Sequence, residues 1–110
     1  MADIGVVRYQ IINESEIHAV WWNFVLDGSQ LNRRHWGTGI ARGDTSKGFP
    51  GEYKVTYTNH DGTVAGPFDL KLVRNDDVYE LYWTLEGQLL WIGTGMETPE
   101  GLYAGWREAQ

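Results

Sequence analysis

The chain contains no cysteine, which excludes disulfide staples and thiolate metal sites as sources of stability. It also lacks a helical stripe: no window of ten or more residues repeats its apolar positions at the helical period. Long apolar runs are missing, and none approaches the roughly 20 residues that a membrane-spanning helix needs. The opening Met-Ala-Asp-Ile-Gly-Val-Val-Arg has neither the basic region nor the apolar stretch of a secretory signal. Positive charge is scarce, with 9 Lys and Arg against 15 Asp and Glu and a net charge of −6. That balance disfavours phosphate backbones and anionic lipid surfaces. Nucleic acid and membrane are therefore not expected as partners, and the expected location is cytoplasmic.

Aromatic residues are plentiful: six Trp, six Tyr and three Phe in 110 residues. A chain of this length makes one domain, residues 1–110, with one core, and the aromatics must supply much of it. Where the sequence is regular, apolar and polar residues alternate. Tyr53, Val55 and Tyr57 alternate with Lys54 and Thr56, Phe68, Leu70 and Leu72 with Asp69 and Lys71, and Tyr79, Leu81 and Trp83 with Glu80 and Tyr82. Turn residues punctuate these runs at Asn13-Glu14-Ser15, Asp27-Gly28, Asp61-Gly62, Asn75-Asp76-Asp77 and Glu86-Gly87. The pattern predicts an all-β chain with strands near 5–12, 17–26, 31–41, 52–59, 67–74, 78–85, 88–97 and 101–107.

The chain also repeats itself. Ile17-His18-Ala19-Val20-Trp21-Trp22 aligns with Val78-Tyr79-Glu80-Leu81-Tyr82-Trp83, and Gly37-Thr38-Gly39-Ile40 with Gly93-Thr94-Gly95-Met96. Two such copies suggest a doubled half-domain, with half-repeats of about 5–41 and 52–107 joined by the Arg42–Gly51 connection. Short turns make an antiparallel meander, and eight meandering strands lose their exposed edges by closing into a barrel. Glycines within the two Gly-Thr-Gly motifs predict bulges or bends in its wall. A two-sheet β-sandwich is the alternative.

The eight-strand meander, the short chain and the Trp-rich strands resemble the calycin-type barrels: avidins, lipocalins and fatty-acid-binding proteins. Trp22-Asn23 followed by Gly28-Ser29 is loosely similar to the Trp-x-Asn-x-x-Gly-Ser start of avidins, in which the Asn and Ser contact the ligand. The spacing differs here, the segment falls on the second strand and the other avidin motifs are missing, so biotin binding is not carried over.

If equivalent positions of the repeat face the same way, Val20 and Trp22 join Leu81 and Trp83 inside, and His18 joins Tyr79. Tyr9, Tyr53, Tyr57 and Trp106 complete an aromatic interior, and Arg34 stands at one mouth if Trp36, Thr38 and Ile40 point inward. Such a lining suits a small hydrophobic or amphipathic ligand; a filled aromatic core is the bland alternative. His18 is the inward group that titrates near neutrality, so an enzyme of isomerase, cyclase or lyase type would use it as acid–base. Trp21, Tyr82 and Trp91 are expected outside, as an interface for a homo-oligomer, a dimer first, or as a glycan-stacking surface. His18, His35 and His60 share no chelating spacing, and neither a metal nor a cofactor is expected. The glycines of 37–43 and 43–48 lack the helix, Lys and Ser/Thr of phosphate-binding loops. Arg42-Gly43-Asp44, Asn13-Glu14-Ser15 and Asn59-His60-Asp61-Gly62 are read as turns and loop.

Overall fold

The computed structural model describes the backbone of residues 2–27 and 30–110 and the side chains of 3–25 and 35–110. The strands are β1 (Ala2–Asn13), β2 (Glu16–Asp27), β3 (Gln30–Arg42), β4 (Gly51–Asn59), β5 (Val64–Asn75), β6 (Val78–Leu85), β7 (Gln88–Thr98) and β8 (Gly101–Glu108). Each pairs antiparallel with the next, and β1 pairs with β8 to close a barrel. The eight strands expected from alternation are all present, and closure removes the sandwich alternative together with the exposed edges. Glu86 and Gly87 both take positive φ, 52° and 82°, the requirement of a type I′ turn, whose twist matches the strands it joins. Tyr9, Ile17, Val55, Leu70, Leu81 and Leu102 are fully buried along the axis.

Two bulges decide which aromatics enter the interior. Asn13 pairs with Glu16 across the first turn, a register that would set Tyr9 opposite Val20. A shift between Ile11 and Asn13 moves the pairing to Tyr9 and Ala19. One extra residue turns every later side chain of the strand over. Ile17, Ala19, Trp21 and Asn23 consequently face inward, and His18, Val20 and Trp22 face outward, correcting the faces expected from the repeat. Trp22 is 46 % exposed, and the His18 side chain is 47 % exposed and bonded to Glu16. The opposite face is carried across to β3, where Trp36 lies outside and Ala41 is buried.

The second bulge lies between β6 and β7. Leu85 pairs with Gln88, a register that would set Leu90 opposite Trp83, but a shift after Trp83 brings Trp91 there. Trp91 is therefore inside, not on the outer surface. The Gly-Thr-Gly motifs coincide with none of the register shifts. Gly39 makes room for a ring instead: a Cβ there would stand 2.6 Å from the Tyr57 ring.

The two ends of the barrel differ. At one end the connection between β3 and β4 folds back as a plug. Gly43 N donates to Ser15 O at 3.1 Å and Thr45 N to Glu14 O at 2.9 Å. Phe49 is buried and meets Tyr79 edge-on at 6.4 Å between ring centroids. At the opposite end lie the β4–β5 turn, the Glu86–Gly87 turn and the beginning of β1.

Candidate functional site

A cavity of about 210 Å³ occupies that opposite end. Trp21, Tyr57, Phe68, Trp83, Trp91 and Trp106 wall it, and Asp3, Asn23, Asn59 and Thr63 supply its polar lining. The rings hold one another edge to face. Phe68 meets Trp91 at 5.2 Å and 89°, Trp91 meets Trp106 at 6.2 Å and 74°, and Trp21 meets Tyr57 at 6.3 Å and 80°. Offset and T-shaped contacts of this kind are the favoured arrangement of ring quadrupoles.

Beneath the cavity, Tyr57 is a hub. Its hydroxyl accepts from Trp83 Nε1 at 2.7 Å and lies 2.6 Å from the Tyr9 hydroxyl. Burial pushes the Tyr57 phenol up to about 12. Burial, followed by the neighbouring Tyr57, raises Tyr9 well above the ordinary phenol value. Both hydroxyls therefore remain neutral at physiological pH, and the floor carries no charge.

Most polar groups around the cavity are already occupied. Asn59 Nδ2 donates to His35 Nδ1 at 3.2 Å, and Asn59 Oδ1 accepts from His60 N and Nδ1 at 2.8 and 2.7 Å. Thr63 Oγ1 donates to Asp61 Oδ1 at 2.7 Å. Asp3 N donates to Glu108 Oε1 at 2.9 Å, and Asp3 has a further interaction of its own. Trp21 Nε1 donates to Thr38 O at 2.9 Å. Asn23 is the exception: it is 9 % exposed, lines the cavity, and its Oδ1 is buried with no hydrogen-bond partner among the described residues.

The residues expected to bind a ligand divide by height and face. Tyr57, Trp83 and Trp106 line the cavity, and Tyr9 lies under its floor. Tyr53 and Tyr79 are inside but at the plugged end, where Tyr53 donates to Phe49 O at 2.8 Å and Tyr79 to Glu97 Oε1 at 2.7 Å. His18 and Trp22 are outside the barrel, for the reason given by the first bulge. The Arg34 side chain lies outside the described residues. Of the expected outer set, Trp21 and Trp91 are cavity walls, and only Tyr82 faces out, donating to Glu80 Oε1 at 2.5 Å.

Asn23, Asn59 and Phe68 were not singled out by sequence as ligand contacts. The small residues Gly37, Gly39 and Ala41 were the available signal for the inward face of β3, because only small groups leave room for Tyr57 and its neighbours. Comparison with known proteins gives no match: no family model, no curated protein and no solved structure aligns with the chain.

Proposed function

We propose that the protein binds a small, mostly apolar molecule in the end of the barrel opposite the β3–β4 connection, as calycin-like proteins do. The carrying observation is the space itself, about 210 Å³ bounded by four tryptophans, a phenylalanine and a tyrosine. Small-molecule sites are concave, mostly apolar and found in the mouths of β-barrels, so an aromatic-walled space of this size at the barrel end favours occupancy over plain core packing.

The acid–base alternative loses its histidine, because His18 is outside and paired with Glu16. The nearer imidazole, His35, reaches the cavity only through Asn59. Self-association remains part of the proposal, but on different residues. Val6, Trp22 and Trp36 are neighbours across three strands of the outer wall, and all are exposed. Contiguous exposed apolar surface of this kind favours an interface.

Native mass spectrometry of gently purified protein, set against its denatured mass, tests the binding reading. The expected result is a small additional mass that is lost on denaturation and absent from Trp91→Ala. A bare chain mass, with no change in tryptophan emission across a panel of small aromatic compounds, would overturn it.

A further inference from the structure

We infer that two copies of this chain join by a two-fold contact in which Trp22 of each copy seats in a groove over Gly105 of the other. The contact rests on the self-association reading above and gives it a geometry. Two adjacent rows of outward side chains carry it. Met96, Tyr103, Arg8 and Val20 are successive partners across β7, β8, β1 and β2. Gly105, Val6, Trp22 and Trp36 are successive partners across β8, β1, β2 and β3. Residues opposite one another in a ladder share a face, and the apolar ones here are exposed, from 41 % for Tyr103 to 63 % for Met96. The three rings present roughly 250 Å² of side chain, and Val6, Val20 and Met96 bring the patch to roughly 500 Å². A standard interface buries about 800 Å² per partner, of which roughly six-tenths is apolar. The patch is therefore the size that one copy needs. Arg8 is the one charge in the two rows, and arginine is enriched in interfaces.

The shape of this face is self-complementary. Gly105 is a bare position: the nearest atom that a Cβ there would meet is Gly5 O at 3.8 Å, so its outer side is open. Val6, Trp22, Met96 and Tyr103 line the groove that includes it. The Trp22 ring leans away from β1 and stacks on Trp36 at 5.5 Å and 27°, which leaves Val6 57 % exposed. His60 stacks on Trp36 at 3.8 Å from the β4 side. Trp36 is thus held between two rings and offers no open face to a sugar. What the wall presents is a braced ring beside an empty groove. A two-fold axis near Val6 brings each ring to the other copy's groove, as an isologous contact requires.

Sedimentation equilibrium of the full chain, with native mass spectrometry of mixtures, tests this. The parent is expected to be a dimer. Trp22→Ala, which removes the ring, and Gly105→Arg, which fills the groove, should each weaken it more than tenfold. Gly105→Gln, which fills the groove without charge, should act like Gly105→Arg. Trp22→Ala and Gly105→Arg mixed in equal amounts should form a heterodimer in excess over either homodimer. In that pair one intact ring meets one intact groove, and the filled groove faces the missing ring. A misfolded Gly105→Arg could not produce this rescue. A dimer that neither Gly105 substitution weakens would overturn the groove contact and leave self-association standing. Weakened variants that show no heterodimer excess would overturn it too, because ring and groove would not be partners. A monomeric parent would reject both.

Discussion

The two ends of the barrel are built from the same materials and finished differently. At the plugged end Phe49 fills the axis, and the hydroxyls of Tyr53 and Tyr79 are tied to Phe49 O and Glu97. At the other end, four tryptophans surround a space and one carbonyl oxygen is left unpaired. Strand number fixes the width of a barrel, so the ends have comparable gaps to fill. The difference lies in the connections. Among the described residues, the stretch between Arg42 and Gly51 is long enough to fold over its end and insert a ring, whereas the Glu86–Gly87 turn at the other end is a two-residue link that cannot reach across.

The largest effect should come from removing the plug. Phe49→Ala deletes a buried ring whose neighbours cannot collapse freely, and the expected loss is about 3–5 kcal/mol in urea unfolding. A loss below about 1 kcal/mol would mean that the loop lies over the end without sealing it. Tyr57→Phe comes next. It strips the acceptor from Trp83 Nε1 and the partner from Tyr9, at a cost of about 1–3 kcal/mol.

The same tyrosines determine how stability depends on alkaline pH. Tyr57 and Tyr79 are each pushed up to about 12 in the folded protein, both chiefly by burial, and Tyr9 is raised as well. An unfolded phenol loses its proton near 10, so above that pH the folded chain holds more protons than the unfolded one. Stability from these groups is complete below about pH 10 and falls as pH rises toward about 12. Urea midpoints at a series of alkaline pH values should therefore decline, and less steeply in Tyr57→Phe than in the parent. An identical decline in both would place the alkaline transition elsewhere.

Trp91→Ala sharpens the contrast between the ends. Its ring is only half-buried and borders open space, so the expected stability loss is about 1–2 kcal/mol, smaller than for the plug. Binding of small aromatic compounds, by contrast, should weaken more than tenfold, since the substitution removes one wall. Phe49→Ala should show the reverse pattern, with stability lost and affinity retained in the folded fraction. If both variants lose both properties alike, the ends are not functionally distinct.

Much of the fold was legible because alternation and turn chemistry are local. The runs Tyr53–Tyr57, Phe68–Leu72 and Tyr79–Trp83 carry their inward faces in their own sequence, and those faces are as expected. The faces of β2 and β3 were not legible in the same way. Trp21 and Trp22 are adjacent and chemically equal, so only the register with β1 chooses between them. That register turns on one unpaired residue between Ile11 and Asn13. Neither the repeat nor the alternation carries a signal for that bulge. Trp91 and Leu90 present the same ambiguity on β7. Asn23 was quoted only within a loose avidin-like match, and its buried, unpartnered oxygen depends on contacts that no local pattern encodes.

The smallest expected change in stability, and a separate test of what the barrel wall does, is Trp22→Ala. The Trp22 ring stacks on Trp36 at 5.5 Å, and Trp36 in turn stacks on His60 at 3.8 Å, all on the outer surface. An exposed ring contributes little to folding, so unfolding free energy should move by no more than about 0.5 kcal/mol. Affinity for small aromatic compounds should not move, because the ring and the cavity lie on opposite sides of the wall. What should change is assembly. If Val6, Trp22 and Trp36 form the contact between two copies, light scattering after gel filtration will show the parent as a dimer and the variant shifted toward monomer. A parent that is already monomeric would reject the interface. Retention on a glycan column that Trp22→Ala abolishes would then assign the aromatic stack to sugar faces instead. Either result leaves the cavity untouched, since the bulge between Ile11 and Asn13 is what sends Trp21 into the cavity and Trp22 out of the barrel.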